Sequence, residues 1–270
     1  EHKKMTALLI KSFLFVLGLC LGSFCNVLIH RSTSEDPPNR SLWGRSRCPH
    51  CGGSIGSRDL VPLLSFLLLR GQCRSCGHAF THRYWIVELV LAFACVGMYP
   101  LLLWGDTIGF VMWVLVIMGL VTLFFTDLEK GLLPDRIQIP LLLFLGLGTA
   151  WGDPHPFSRL LSGLIAAVVG WGFIWLLNQL YLKWRHQEGF GGGDAKMMAW
   201  MGVFFGWRSM LGIFFVAALL GTLWGLVLKI QKRGTWDTHL PFGSFLAVSA
   251  GIVALWGEPL WRFYLESVIS

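Results

Sequence analysis

A chain of 270 residues that is 54% hydrophobic and only 14% charged, with 14 Trp and 20 Phe, carries more apolar surface than one soluble core can hide. Its formal charge of +7 does not point to nucleic acid, because the basic residues are scattered among loops rather than gathered on one face with interleaved aromatics. The composition predicts an all-α polytopic membrane protein whose partner is a lipid bilayer and whose basic loops face an anionic leaflet.

A hydrocarbon core takes about 20 apolar residues per helix. By that measure the candidate spans are 7–29, 84–104, 107–126, 137–152, 160–182, 195–207, 209–228 and 242–261, about eight transmembrane helices. The fourth and sixth are short, and short or Gly-interrupted spans often line protein or water rather than lipid. Lys3, Lys4 and Lys11 before the first run resemble the start of a signal peptide, but no small-x-small cleavage pattern follows, so the run reads as a retained helix. Three regions result: a first transmembrane helix at 7–29, a loop domain at 30–83 and a seven-helix membrane domain at 84–261. Sixteen of the 22 Lys and Arg residues fall on the odd-numbered loops, among them Arg40, Arg45, Lys232 and Arg233, which places those loops in the cytoplasm.

The loop domain holds CPHC at 48–51 and CRSC at 73–76, two CxxC turns separated by 21 residues. Each turn can present two thiolates, and Zn2+ accepts four sulfurs tetrahedrally without a geometric preference of its own. Cys48, Cys51, Cys73 and Cys76 are therefore the expected zinc ligands. Two disulfides would need an oxidising compartment, which a cytoplasmic loop lacks. A closed thiolate shell leaves no position for water, so the metal is expected to be structural, folding a cytoplasmic loop that has little core of its own. His50 and His78 then stand outside the shell, and Cys20, Cys25 and Cys95 in the apolar runs read as small hydrophobes.

Carboxylates are costly near hydrocarbon, roughly 2.5 to 3.5 kcal/mol at a helix centre on insertion scales. TDLEKGLLPDR at 126–136 ends the third span, and GFGGGDAKMM at 189–198 opens the sixth. The predicted topology sets Asp127 and Asp194, 67 residues apart, at the same membrane depth. Two close carboxylates can share one proton, and the pair can then hydrolyse an amide: the ionised member draws a proton from water while the protonated member donates to the carbonyl oxygen. The alternative is that each caps a helix. Asp135, after Pro134 and before an apolar run, is the expected N-cap of the fourth span. The glycines at 189, 191, 192 and 193 would let an extended peptide backbone approach Asp194; no strand precedes them, so a nucleotide loop is not indicated. Asn26, His30 and Glu88 are polar residues in or beside spans, for which interhelical hydrogen bonding is the simplest role.

Taken together, FCNVLIHR at 24–31, the double CxxC with RDLVPLLSFLLLRGQC between, RYWIVELV at 83–90, TDLEKGLLPDR, GFGGGDAKMM and PFGSFLA at 241–247 resemble the type IV prepilin peptidases, membrane aspartyl proteases of the GxGD type, from about residue 18 to residue 250. The resemblance implies an enzyme of the bacterial inner membrane, with active site and zinc domain facing the cytoplasm. Such enzymes cut the basic leader from prepilins or pseudopilins just after a glycine, and many then N-methylate the new terminus with S-adenosyl-L-methionine. It assigns Asp127 and Asp194 as the catalytic pair, Cys48, Cys51, Cys73 and Cys76 as zinc ligands, and the loop domain to the methyltransferase half; no residue motif for the methyl donor is visible.

Two positions depart from the usual pattern: Gln72 stands where Lys or Arg is common, and Ser244 where Pro is frequent. Glu35, Asp36 and Asp59 are candidate acidic contacts for a basic leader. Two other classes fit some of the same residues: an ion-coupled transporter, which would need charges at mid-membrane where this chain keeps them at helix ends, and a non-enzymatic assembly scaffold.

Overall fold

In the computed structural model the apolar runs are helices, because inside hydrocarbon only a helix or a closed barrel satisfies every backbone polar group internally. The structure describes residues 2–34, 44, 46–48, 50–151, 154–186, 189–231 and 241–269, with the side chains of 57, 185 and 258–269 left aside. The helices are α1 (His2–Thr33), α2 (Leu64–Leu68), α3 (Arg83–Gly97), α4 (Tyr99–Leu103), α5 (Thr107–Lys130), α6 (Asp135–Ala150), α7 (Pro156–Arg185), α8 (Gly192–Ile230) and α9 (Phe242–Ile269), with a 3-10 turn at Ser57–Leu60. Among the described residues no strand forms beyond two isolated bridges.

Among the described residues five helical stretches are long and apolar enough to cross a membrane: His2–Thr33, Arg83–Leu103, Thr107–Lys130, Pro156–Trp184 and Gly192–Ile230. The sequence predicts about eight, and the difference has local causes. The fourth expected span is α6, only 16 residues long. The last lies in α9, which is 28 residues long and whose described apolar part is Phe242–Gly257. The sixth and seventh are continuous in α8, whose 39 residues are interrupted at Gly206, with φ 79° and ψ 162°. A side chain would be strained at that φ, so glycine lets the chain change direction without a loop.

The chain divides into two units, Glu1–Thr122 and Leu123–Ser270, so α5 runs from one into the other. In the first unit α1 packs on α3 through Gly18 and Gly22, a small-xxx-small pair; a Cβ at Gly18 would collide with the Ala92 backbone, and one at Gly22 would lie 2.5 Å from Glu88 Cα. Lipid tails are as apolar as Leu, so helices in a bilayer gain by such close backbone approach rather than by escaping water. Asn26 Nδ2 adds a bond to the Tyr84 carbonyl at 2.9 Å. Leu14, Cys95, Tyr99, Phe110 and Val114 fill the core of this unit. Asp106 Oδ1 accepts the Gly109 N–H at 2.7 Å and so caps the start of α5.

In the second unit α7 and α8 repeat the device. A Cβ at Gly170 would lie 2.7 Å from the Met198 carbonyl oxygen, and one at Gly202 2.7 Å from that of Ala166. Met197, Met198, Trp200 and Met201 are fully buried there. The N-terminal half of α8 is therefore the central element of this unit, and Asp194 stands in its first turn.

Candidate functional site

The two CxxC segments fold into matching knuckles. In the first, Cys48 N–H donates to the Gly53 carbonyl and Gly52 N–H to that of Cys48, both at 2.9 Å; in the second, Cys73 N–H donates to His78 and Gly77 N–H to Cys73, again at 2.9 Å. Gly52 (φ 69°) and Gly77 (φ 68°) supply the left-handed turn that each knuckle needs. The sulfurs of Cys48, Cys51, Cys73 and Cys76 all lie within 4.8 Å of one another, a group that can hold a metal ion. Cys48 Sγ and Cys76 Sγ are 3.9 Å apart, close to the edge of a tetrahedron with 2.3 Å metal–sulfur bonds and far beyond a disulfide. All seven cysteines are free thiols. His50 and His78 stack on one another at 4.2 Å, outside the sulfur cluster as the sequence predicts.

Donors around the sulfurs make their acidities unequal. The N–H groups of Cys76 and Ser75 draw the Cys73 thiol down to about 7. The His78 N–H acts in the same sense on Cys76, but burial and the neighbouring thiols of Cys51, Cys73 and Cys48 outweigh it and push that group up to about 12. A cation among the four would favour the thiolate throughout. Arg74 anchors the second knuckle by a forked pair to Asp59, with Nη2–Oδ1 at 2.7 Å and Nε–Oδ2 at 3.0 Å. The hydrogen bonds of that guanidinium hold Asp59 below the ordinary carboxylate value. Asp59, expected as a contact for a basic leader, is thus engaged within its own loop; Glu35 and Asp36 lie outside the described residues, as do Arg40, Arg45, Lys232 and Arg233.

Beneath the knuckles, and bounded by α1 and α3, is a cavity of about 390 Å3. Asn26, His30 and Glu88 all line it. Glu88, 6% exposed, accepts the Leu63 N–H on Oε2 at 2.7 Å. Leu63 has φ 58° and ψ −47°, a conformation that strains a branched side chain. The carboxylate therefore fixes the loop at its most strained residue.

The second unit gathers Asp127, Asp194 and Ser244. Asp127 and Asp194 are each 6% exposed, and both lie beside Leu133, which closes on Gly193 next to Asp194 and on Gly243 next to the Asp127 carboxylate. Asp127 Oδ2 accepts two hydrogen bonds from Ser244, from the N–H at 2.6 Å and the hydroxyl at 3.0 Å. Asp194 Oδ2 accepts the Gly191 N–H at 2.9 Å, reaching back from the third helical position to the helix start. Its other oxygen, Oδ1, is buried with no hydrogen-bond partner. Asp194 thus does cap a helix, but with only half of its carboxylate. A buried acceptor left open is costly, and here it is available to a water or to a substrate group.

Leu133 holds these pieces in register. A Cβ at Gly193 would lie 2.6 Å from Leu133 Cβ, and one at Gly243 2.8 Å from Leu133 Cδ1 and 3.1 Å from Asp127 Oδ2. Gly193 and Gly243 therefore let the starts of α8 and α9 close on the same side chain beside Asp127. Of the four glycines before Asp194, Gly189 is packed against the Tyr181 ring and Gly193 against Leu133, while Gly192 faces open space. The loop is also tied from α7, where Asn178 Oδ1 accepts the N–H groups of Gly189 and Phe190 at 2.9 and 3.1 Å. Phe190 packs on Phe242, ring centroids 5.0 Å apart.

Asp135 does not cap α6 as expected. Pro134 occupies the cap position, and Asp135 pairs instead with Lys196 Nζ at 2.6 Å, tying the start of α6 to the first turn of α8. Three contributors escape sequence reasoning: Ser244, Asn178 and Leu133. Asn178 left a signal as one of two adjacent amides, with Gln179, in a largely apolar helix, and Ser244 as a departure from a pattern; Leu133 left none.

Helices that fit a bilayer, two buried carboxylates and a four-thiol loop define a membrane-type helical protein with a candidate site for acid–base chemistry. The sequence places it further. Residues 16–101 match the Bacterial Peptidase A24 N-terminal domain and residues 113–226 the Type IV leader peptidase family. The chain is 33% identical to the prepilin leader peptidase/N-methyltransferase of Aeromonas hydrophila, over 96% of its own length and 94% of the relative's. It is 33% identical to the protein of that name in Burkholderia pseudomallei strain 1026b, over 94% and 87%, and 31% identical to that of Pseudomonas aeruginosa, over 93% and 92%. The protein belongs to the type IV leader peptidase family. No solved structure matches it.

Proposed function

We propose that this protein is a membrane aspartyl endopeptidase that removes the leader from type IV prepilins or pseudopilins and then N-methylates the exposed terminus. The observation that carries the reading is the buried pair Asp127 and Asp194, with Oδ1 of Asp194 left open. One carboxylate takes a proton from water as the water oxygen bonds to the scissile carbonyl carbon, and the other donates a proton to the carbonyl oxygen. Collapse of the resulting diol breaks the C–N bond: the amine leaves with a proton from the first carboxylate, and a diol hydroxyl returns its proton to the second, restoring the pair. Ser244 orients Asp127, and the Gly191 N–H orients Asp194. Open space at Gly192 leaves room for the substrate backbone beside them.

On this reading the four cysteines hold Zn2+ as a structural ion, since four sulfurs close its shell. Bound S-adenosyl-L-methionine supplies the methyl group. The loop domain and both aspartates face the cytoplasm of a bacterial inner membrane, supported by the excess of Lys and Arg in the odd-numbered loops. Purified protein incubated with a prepilin, with and without S-adenosylmethionine, and analysed by mass spectrometry tests both halves. The expected products are a leaderless pilin and, with the methyl donor, the same species one methyl group heavier. Intact substrate in both samples overturns the reading.

A further inference from the structure

Glu88 is an acid in an otherwise apolar helical stretch, buried at 6% exposure, and its carboxylate accepts the Leu63 N–H and a hydrogen bond from the Ser23 side chain. Asn26 faces it from α1 at 3% exposure; its amide nitrogen is committed to the Tyr84 carbonyl, and its Oδ1 is buried without a partner. Both residues line the cavity of about 390 Å3 between these helices and the cysteine loop. A buried acceptor left open is costly without a donor, and Asn26 with its open oxygen lines the same cavity as the Glu88 carboxylate. The same cavity is lined by Phe80 and Tyr84, rings packed edge to face at 5.7 Å, and by Arg47 on the exposed side. Aromatic surface, an inner anion and an outer cation suit a ligand with a flat base, a positive centre and a carboxylate. Its volume is that of a nucleoside-sized ligand site.

Resting on the methylation half of the proposed function, we propose that this cavity is the binding site of the methyl donor S-adenosylmethionine, with Glu88 as the counter-charge to its cationic part and Phe80 and Tyr84 as the surface for its base. The methyl donor then sits in the first unit, between α1, α3 and the cysteine loop, and the loop forms one wall of its site. That gives the four-thiol cluster a consequence for methylation without any bond between metal and donor. It also explains why no glycine-rich strand-to-helix motif is present, since the site is made from two helices and a loop.

The test uses the full-length protein in lipid nanodiscs and tritiated S-adenosylmethionine. Ultraviolet cross-linking followed by peptide mapping is expected to place the label within 23–31, 59–66 or 80–88. Equilibrium dialysis is expected to show at least tenfold weaker binding to Glu88→Gln, which keeps an oxygen for the Leu63 N–H but removes the charge. The melting temperature and metal content of the variant report its folding. Label confined to peptides from 123–230, or unchanged affinity in a folded Glu88→Gln protein, overturns the proposal; if that variant does not fold, the label map on the unsubstituted protein decides. A methylated product with the label elsewhere rejects this site alone, whereas cleavage without methylation or donor binding rejects the methyltransferase reading with it.

Discussion

The two halves of the molecule use the same packing and opposite ways of placing polar groups. In each, a pair of long helices closes through glycines, Gly18 and Gly22 in the first unit and Gly170 and Gly202 in the second. The first unit then carries its chemistry on a loop outside the helices, ordered by two knuckles and by the Arg74–Asp59 fork. The second carries it on helix starts, where Asp194 lies in the first turn of α8 and Ser244 in the first turn of α9. A loop needs a cross-link to hold its shape, whereas a helix start is ordered by the helix behind it. Metal dependence is therefore expected in the first unit, and sensitivity to single side chains in the second.

Substitutions in the catalytic pair should separate the halves most sharply. Asp127→Asn or Asp194→Asn should lower prepilin cleavage by at least about 100-fold, the scale of a lost general acid or base, while donor binding to the first unit persists. Cleavage near the normal rate in either variant would remove the basis for the pair. Next, Cys76→Ser should abolish stoichiometric metal by elemental analysis and lower methylation of an already cleaved pilin by about tenfold or more, since a metal on the four sulfurs would join the two knuckles. Unchanged methylation in the metal-free variant would show that the loop orders itself.

Within the second unit, Asn178→Ala removes the acceptor for two loop N–H groups and should reduce cleavage about tenfold, near 1.4 kcal/mol; a wild-type rate would mean that the aromatic packing of Phe190 suffices. Lys196→Met should have the smallest effect. Its pair with Asp135 is exposed and should contribute under about 1 kcal/mol by chemical denaturation.

The sulfur cluster and the carboxylate pair were legible in the sequence for physical reasons. Four cysteines in two tight turns have few uses besides a metal, and acids at the ends of apolar runs need a compensating role. What supports the acids was not legible. Ser244 reaches Asp127 across 117 residues, and Leu133 acts through shape alone, which no spacing rule reports. The cap expected at Asp135 failed because Pro134 already holds the required extended conformation, leaving the carboxylate to pair with Lys196. The expected sixth and seventh spans meet at Gly206, where the backbone leaves helical geometry and α8 changes direction without a loop, a feature hydropathy alone does not report.

The matching of the two knuckles also bears on how the chain is made. Each supplies two of the four sulfurs, so neither alone closes a tetrahedral shell, and the first must wait on the ribosome with half a site until Cys76 has been synthesised. Since α3 begins at Arg83, metal capture and pairing of α3 with α1 fall within the same few moments of translation. Without an ion the two knuckles would remain unjoined at the moment α3 meets α1.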